Sequence, residues 1–246
     1  MDSFNCHACK KEDSYTQFYW KTPHINNKFI PDTYQCSGCK HIFRNYKGNT
    51  DEYHREKYRI QGEEGHKMYS EEERLKYISA IVGQVQTFLK PNMSALEIGS
   101  GDGLFATQIK KHVKNIKCSD IDSKMTKKCE DLGFDVMSIN VLDIDDNDKY
   151  DVIFGFDVLE HVLDIQSFND KISKIVNELL ILQVPVHRTM VSPNETFDGH
   201  SHYFSKASIT KLFEENFTPQ WGGFAPPGLT ARGWELLCVF STKKEI

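Results

Sequence analysis

The sequence predicts an α/β protein: a doubly wound parallel sheet with a small β-rich domain ahead of it. Three observations carry that prediction. From Met93 onward, strand-like apolar runs alternate with helix-like ones, the order that builds a parallel sheet covered by helices. The first run, Ala95-Leu96-Glu97-Ile98, ends in Gly99-Ser100-Gly101-Asp102-Gly103 and opens onto a helical apolar face at Leu104, Phe105 and Ile109. Ahead of this region stand two Cys-x-x-Cys pairs, Cys6-His7-Ala8-Cys9 and Cys36-Ser37-Gly38-Cys39.

Composition bounds the rest. The chain has 246 residues, a net charge of −5 and 39% hydrophobic residues, enough for one α/β domain of ordinary size and an appendage. No apolar run approaches the ~20 residues of a membrane span. Met1-Asp2-Ser3-Phe4-Asn5-Cys6 has neither a basic nor an apolar leader segment, so no signal peptide is expected. Seven cysteines, four of them in two close pairs, point to metal rather than disulfides and to a cytoplasmic location. The mild acidity argues against a large nucleic-acid footprint.

Residues 1–48 form the appendage. Each Cys-x-x-Cys places two thiolates on one tight turn, and the two turns, 26 residues apart, complete the tetrahedral S₄ set that zinc favours. Tyr15, Phe18, Tyr19, Trp20, Phe29 and Tyr34 lie between them, with turn signals at Thr22-Pro23 and Asn26-Asn27. Such a ribbon is too short to hold itself together, and zinc bound by Cys6, Cys9, Cys36 and Cys39 would be its staple. Four thiolates close the coordination sphere, so the expected zinc is structural. His7 and His41 flank the knuckles as possible substitutes. A redox role finds no βαβ context around either pair.

Residues 49–69, with Tyr53, Tyr58 and Tyr69, read as a linker with a short helix. The third region is 70–246. It opens with a capping box, Ser70 and Glu73, and a helical face of Leu75, Ile78, Ile81/Val82, Val85 and Phe88/Leu89 ended by Pro91. Strands follow at 94–98, 115–120, 134–139, 150–156 and 178–184, the last stopped by Pro185. A final strand pair is expected at 217–222 and 235–241. Helices are expected at 105–113, 124–132 and 171–177, a helical start at 158–162, and a Ser205-capped helix over 205–216.

The glycine loop is Glu-x-Gly-x-Gly-x-Gly. A dinucleotide fingerprint would place its third glycine at 104, where this chain has Leu104. An acid at the strand end suits a ligand with a cationic group rather than a pyrophosphate. The loop resembles motif I of the class I S-adenosylmethionine (SAM)-dependent methyltransferases, whose ligand carries an ammonium and a sulfonium. Ligands of such sheets bind at the carboxyl ends of the strands, near the reversal of strand order. There stand Ser119-Asp120-Ile121-Asp122, about 20 residues past the loop. Asp120, the first acid, is the ribose candidate, and Asp122 caps the next helix, though the two can exchange roles. Asn140 with Val141 can take adenine, where many methyltransferases have Asp; Asp143 competes.

Strand 150–156 runs into Phe156-Asp157-Val158-Leu159-Glu160-His161-Val162, which closely resembles the post-strand-4 segment of metabolite-modifying class I methyltransferases. The Asn/Asp-Pro-Pro-Tyr motif of nucleobase amino methyltransferases does not occur. The resemblance covers residues 70–242 and implies a Rossmann-like seven-stranded methyltransferase sheet, with the helix after Ser70 lying beside the SAM site. The ribbon ahead of the SAM domain resembles a group that includes sugar C-methyltransferases and other tailoring enzymes, which are usually longer at the C-terminus. The candidate cofactor set is Glu97, Gly99, Ser100, Gly101, Gly103, Asp120, Ile121, Asn140, Val141 and Phe156.

Methyl transfer from a sulfonium is an in-line displacement, so the protein must align the acceptor and remove its proton where needed. His161 is a base, a substrate-orienting group, or a residue packing on the cofactor loop. Segment 183–205 carries Gln183, Pro185, His187, Arg188, Glu195, Asp198, His200, His202 and Tyr203, a composition suited to an acceptor site. His200-Ser201-His202-Tyr203-Phe204-Ser205 resembles the family's His-x-x-x-Phe-Ser turn. Candidate catalytic residues are therefore His161, His200 and His202. Three histidines and two carboxylates here could also hold a second metal, which keeps a metal-dependent O-methyltransferase as a further reading, although no helical His-x-x-x-His pair occurs. The expected reaction is methyl transfer from SAM to a small-molecule hydroxyl, amine or carbon. The competing readings are an RNA methyltransferase whose ribbon grips nucleic acid, helped by Tyr15–Trp20 and the basic residues of 40–59, and a SAM-binding protein without catalysis.

Overall fold

The computed structural model describes residues 5–12, 15–18, 32–45, 70–186, 200–224 and 234–243. The linker expected at 49–69, the turns at 22–27, Tyr19, Trp20 and Phe29, and His187, Arg188, Glu195 and Asp198 lie outside the described residues.

The larger sheet has seven strands. β4 (Ser94–Ile98) lies inside it, with β5 (Asn115–Ser119) and β6 (Asp135–Met137) on one side. On the other lie β7 (Tyr150–Phe156), β8 (Val176–Val186), β11 (Trp234–Thr242) and β10 (Phe217–Phe224). β4 through β8 are parallel, and β11 runs antiparallel to both β8 and β10. The order reverses between β4 and β7, so the ligand crevice opens at their carboxyl ends. This is the doubly wound sheet the alternation predicts.

Side-chain alternation divides the core. Ala95, Val152, Phe154 and Ile181 face α1 (Glu71–Val85) and α2 (Leu104–Ile109), meeting Ile81, Val85, Phe105 and Ile109. Leu96, Ile98, Ile153 and Leu180 face α4 (Ile165–Ile175) and α5 (Lys206–Phe213), meeting Phe168, Ile172, Leu212 and Phe213. Ser70 caps α1 through the predicted box: its Oγ accepts from Glu73 N at 3.2 Å, while Glu73 Oε2 accepts from Ser70 N at 2.8 Å. Asp122 caps α3 (Ser123–Asp131) by accepting from Lys124 N at 2.8 Å.

The remaining sheet has the order β1 (Tyr15–Phe18), β2 (Asp32–Cys36), β3 (Ile42–Asn45), β9 (His202–Tyr203). Its outer strand comes from the far end of the chain: Ile42 pairs with Tyr203 and Phe43 with His202. The knuckle cysteines belong to the same apolar cluster as Phe168 and Leu212.

Several boundaries differ from expectation. The helix expected at 171–177 is α4, which starts at Ile165 because Asp164 caps it, accepting from Ser167 N at 3.0 Å. Val176 and Asn177 instead open β8. Pro185 does not stop β8. It pairs with Glu235 beyond the end of β7, whose last partner is Gln183, so one edge there needs no backbone donor. The strand expected over 134–139 shortens to Asp135–Met137, and the helix expected over 105–113 tightens into a 3₁₀ turn at Lys110–His112.

Candidate active site

The glycine loop closes the carboxyl end of β4. Gly99, Gly101 and Gly103 have φ of 64°, 53° and 75°, the left-handed region. Two of them have little room: a Cβ on Gly99 would lie 2.3 Å from Val158 Cγ2, and one on Gly103 would lie 3.1 Å from Cys129 Sγ. A Cβ on Gly101 would meet nothing within 4 Å. The loop is therefore packed at both ends and open in the middle.

Asp120 ties this loop to β5. Its Oδ2 accepts from Gly101 N at 3.0 Å and its Oδ1 from Asp122 N at 2.9 Å. Each oxygen keeps a second lone pair for a ligand hydroxyl. Ile121 beside it is 53% exposed, unusual for a large apolar side chain. Ser100 is buried, with its Oγ 3.6 Å from Cys129 Sγ. Asn140 is exposed, and its Oδ1 accepts from Leu142 N at 3.0 Å, opening the 3₁₀ turn Val141–Asp143. Phe156, the last residue of β7, packs on Phe105 with the rings tilted by 60° and their centroids 4.4 Å apart.

Glu97 is buried at 3% exposure, and its Oε2 has no hydrogen-bond partner among the described residues. Burial pushes its carboxyl well above the usual carboxylate range, and Cys129, Asp102 and Asp120 push it the same way. Burial also raises Asp120. An acid-lined, partly dry crevice with one orphaned carboxyl oxygen fits a cationic ligand group. α1 closes the flank: Arg74 Nη2 makes a two-pronged salt bridge to Asp102 in the loop, at 2.7 and 2.8 Å.

β7 delivers the second wall. Asp157 turns the chain with φ of 53°, left-handed for a non-glycine residue, and its N–H donates to Gln183 O at 3.2 Å. The 3₁₀ turn Leu159–His161 follows and packs Val158 against Gly99. Glu160 is 1% exposed, and Ser201 N donates to its carbonyl at 2.7 Å, which brings His200 alongside. The His161 and His200 rings meet edge to face, 4.7 Å between centroids.

His202 lies apart from them. Its Nδ1 is 3.1 Å from His41 Nε2 and its Nε2 is 3.2 Å from Leu163 O, inside the seam between β9 and β3. Burial pushes its ring down to about 3.

The cysteine knuckles share one geometry. In each, the residue after the second cysteine donates its N–H to the first cysteine's carbonyl, Lys10 to Cys6 at 2.9 Å and Lys40 to Cys36 at 3.0 Å. Both lysines are left-handed, with φ of 58° and 61°. Cys6 and Cys39 Sγ lie 3.6 Å apart, Cys9 and Cys36 Sγ 3.7 Å, and all four within 4.8 Å. Zn–S bonds of about 2.3 Å set sulfurs at tetrahedron edges of about 3.8 Å, so the donor set fits zinc.

Sequence reasoning did not single out Tyr77 and Glu235, which share a buried cluster with Gln183 near the same end of the sheet. Glu235 Oε2 accepts from Gln183 Nε2 at 2.6 Å and from Tyr77 Oη. Burial pushes the Glu235 carboxyl up to about 7. The folded protein then binds this proton more tightly than the unfolded chain. Its stabilising contribution is complete below the ordinary carboxylate range and is lost as pH rises through about 7. Relative to wild type, Glu235→Gln should therefore gain up to about 3 kcal/mol between pH 5 and pH 8 in denaturant titrations. A difference that does not change with pH would mean that its two donors hold Glu235 ionised.

Residues 69–216, more than half of the chain, match the model of the methyltransferase domain family. The chain belongs to that family. It is a SAM-dependent methyltransferase of class I. A curated relative, ribosomal RNA small subunit methyltransferase A of Staphylococcus carnosus (strain TM300), is 26% identical over 130 residues. That match covers 53% of this chain and 42% of the relative, so the chain spans less than half of that protein's length. Among solved structures, the fold resembles the Burkholderia thailandensis 1,6-didemethyltoxoflavin-N1-methyltransferase bound to 1,6-didemethyltoxoflavin and S-adenosylhomocysteine. The TM-score is 0.63 at 15% identity, covering 83% of this chain and 96% of that one. The magnesium protoporphyrin IX methyltransferase of Synechocystis PCC 6803 gives 0.55 at 16% identity, covering 69% and 83%.

Proposed function

We propose that the enzyme transfers a methyl group from SAM to a small-molecule acceptor at the crevice between the β4 and β7 loops. The observation that carries this reading is the pairing of the two walls: Val158 of the His161 turn fills the space a Gly99 side chain would need. Donor loop and acceptor turn are thus locked at contact distance, as in-line transfer requires. In this reading Glu97 faces the cationic end of SAM, Asp120 takes the ribose hydroxyls, and Ile121, Asn140 and Val141 border the adenine. Gly99, Ser100, Gly101 and Gly103 form the floor, with Phe156 beneath. The methyl group supplied by SAM needs no activation beyond its sulfonium, so this chain's residues align the acceptor and handle its proton.

His161 and His200 stand at the acceptor side, and His202 serves the seam to the ribbon. Zinc on Cys6, Cys9, Cys36 and Cys39 is structural, since four thiolates leave no position for substrate. Thiols kept reduced for that site belong in the cytoplasm. Small-molecule methyltransferases among the fold's relatives support the acceptor class; the ribosomal RNA relative supports an RNA acceptor. The net charge of −5 favours the former.

Asp120→Ala tests the cofactor assignment. It should weaken S-adenosylhomocysteine binding about a hundredfold in calorimetric titration, while the thermal transition of the free protein moves by only a few degrees. Unchanged affinity in the folded variant would remove Asp120 from the ribose role.

A further inference from the structure

We propose that Glu160, His161 and His200 form a second metal centre, one that holds a first-row divalent cation on the acceptor side of the crevice. This inference rests on the methyltransferase reading above and names how that site takes its acceptor.

One ligand atom from each of the three residues lies within 4.8 Å of the other two, and His161 Nε2 stands 3.8 Å from Glu160 Oε1. Bonds of about 2.1 Å draw neighbouring ligands to about 3.0–3.4 Å apart, so closing on a cation moves these side chains by less than about 1 Å. The three residues come from two distant stretches. Glu160 and His161 sit on the 3₁₀ turn after β7, and His200 is clamped to that turn because Ser201 N donates to Glu160 O at 2.7 Å. Glu160 is 1% exposed and His200 7%, while the His161 side chain keeps 16% of its surface open. A carboxylate placed against two imidazoles in a dry setting is a donor set with a charge and geometry that suit a cation.

Two imidazoles and one carboxylate suit manganese, iron, cobalt or zinc, and three protein ligands leave positions open on the metal. The chemical class that fills them is an acceptor with two adjacent oxygens, able to chelate. A hydroxyl bound there is acidified and sheds its proton to water. Its oxygen then forms the new bond to the methyl carbon as the carbon–sulfur bond breaks, and that electron pair stays on the departing sulfur. The Gly99–Val158 contact sets this oxygen beside the donor loop. His161 and His200 would thus act on the acceptor through the metal rather than as a free base.

The test uses full-length protein assayed at one zinc per chain, so that the thiolate site is filled. Manganese(II) alone is titrated in and followed by the electron paramagnetic resonance signal of the free ion. The expected result is one Mn²⁺ per chain, with affinity lowered at least about tenfold by His200→Ala and by Glu160→Gln. Both variants should retain wild-type S-adenosylhomocysteine affinity, which shows that they fold. His161→Ala supplies the same comparison should either variant fail to fold. Absence of Mn²⁺ binding by the zinc-loaded wild type, or equal binding by the variants, would overturn the centre. Because Mn²⁺ binding needs no SAM, protein that binds S-adenosylhomocysteine but no Mn²⁺ defeats this proposal alone. Protein that binds Mn²⁺ but no S-adenosylhomocysteine defeats the donor-site reading on which the acceptor chemistry depends.

Discussion

Gly99→Ala should weaken cofactor binding about a hundredfold and destabilise the fold, and Val158→Ala should partly restore both. Two separate physical effects add at this position. The backbone has φ of 64°, where an L side chain costs about 1–2 kcal/mol. The added methyl would also lie 2.3 Å from Val158 Cγ2, inside any tolerable contact. The loop must then move away from the β7 turn, and both walls of the crevice lose their register. A strain of about 3 kcal/mol corresponds to about a hundredfold in affinity if binding restores the native loop. Val158→Ala removes the clashing atom and leaves Val158 Cβ, at 3.6 Å, as the nearest atom. Only the backbone term then remains, so the double variant should recover most of the lost affinity. Denaturant titration and S-adenosylhomocysteine calorimetry on the four proteins of this cycle measure the coupling. Additive losses would mean that the two loops do not meet as described.

Cys36→Ser, or zinc removal by a chelator, should dismantle the ribbon and the acceptor side while leaving the donor side intact. A structural zinc on these four thiolates would contribute about 10 kcal/mol or more to holding the ribbon. Loss of the ribbon also removes β3 from β9, the His41–His202 contact at 3.1 Å, and the bond from Ser205 Oγ to Cys39 O at 2.6 Å. The segment released begins next to His200, so its clamp on Glu160 loosens. Among the described residues, the glycine loop, Asp120 and Glu97 make no contact of this kind with the ribbon and should bind S-adenosylhomocysteine within about threefold of wild type. Hydrogen exchange at the amides of β9 should rise, while that of β4 stays protected. Loss of S-adenosylhomocysteine binding in a chain whose β4 remains protected would make the ribbon part of the donor site.

The sequence made some of this legible and hid the rest for physical reasons. β4 and β7 lie where their apolar runs place them, and Ser70 and Asp122 cap as their side chains predict, because these signals are local. The start of α4 was missed because its signal was the Asp164–Ser167 cap rather than an apolar face. β9 was illegible: a two-residue strand has no periodicity, and its partner β3 lies about 160 residues earlier in the sequence. The same separation hid the fate of His202, which reads as a loop histidine and is a buried seam residue. Glu160 stands in the quoted 156–162 string without a role of its own, because nothing local in the sequence sets its burial. Only the fold shows it 1% exposed, with His200 brought to it across 40 residues.

Everything proposed for the acceptor side depends on a donor site for SAM at the β4 loop. Calorimetric titration of zinc-assayed protein with S-adenosylhomocysteine tests it most directly. The expected result is one site per chain with micromolar affinity, weakened by Asp120→Ala. No heat and no thermal stabilisation at millimolar ligand, in protein carrying its zinc, would contradict it.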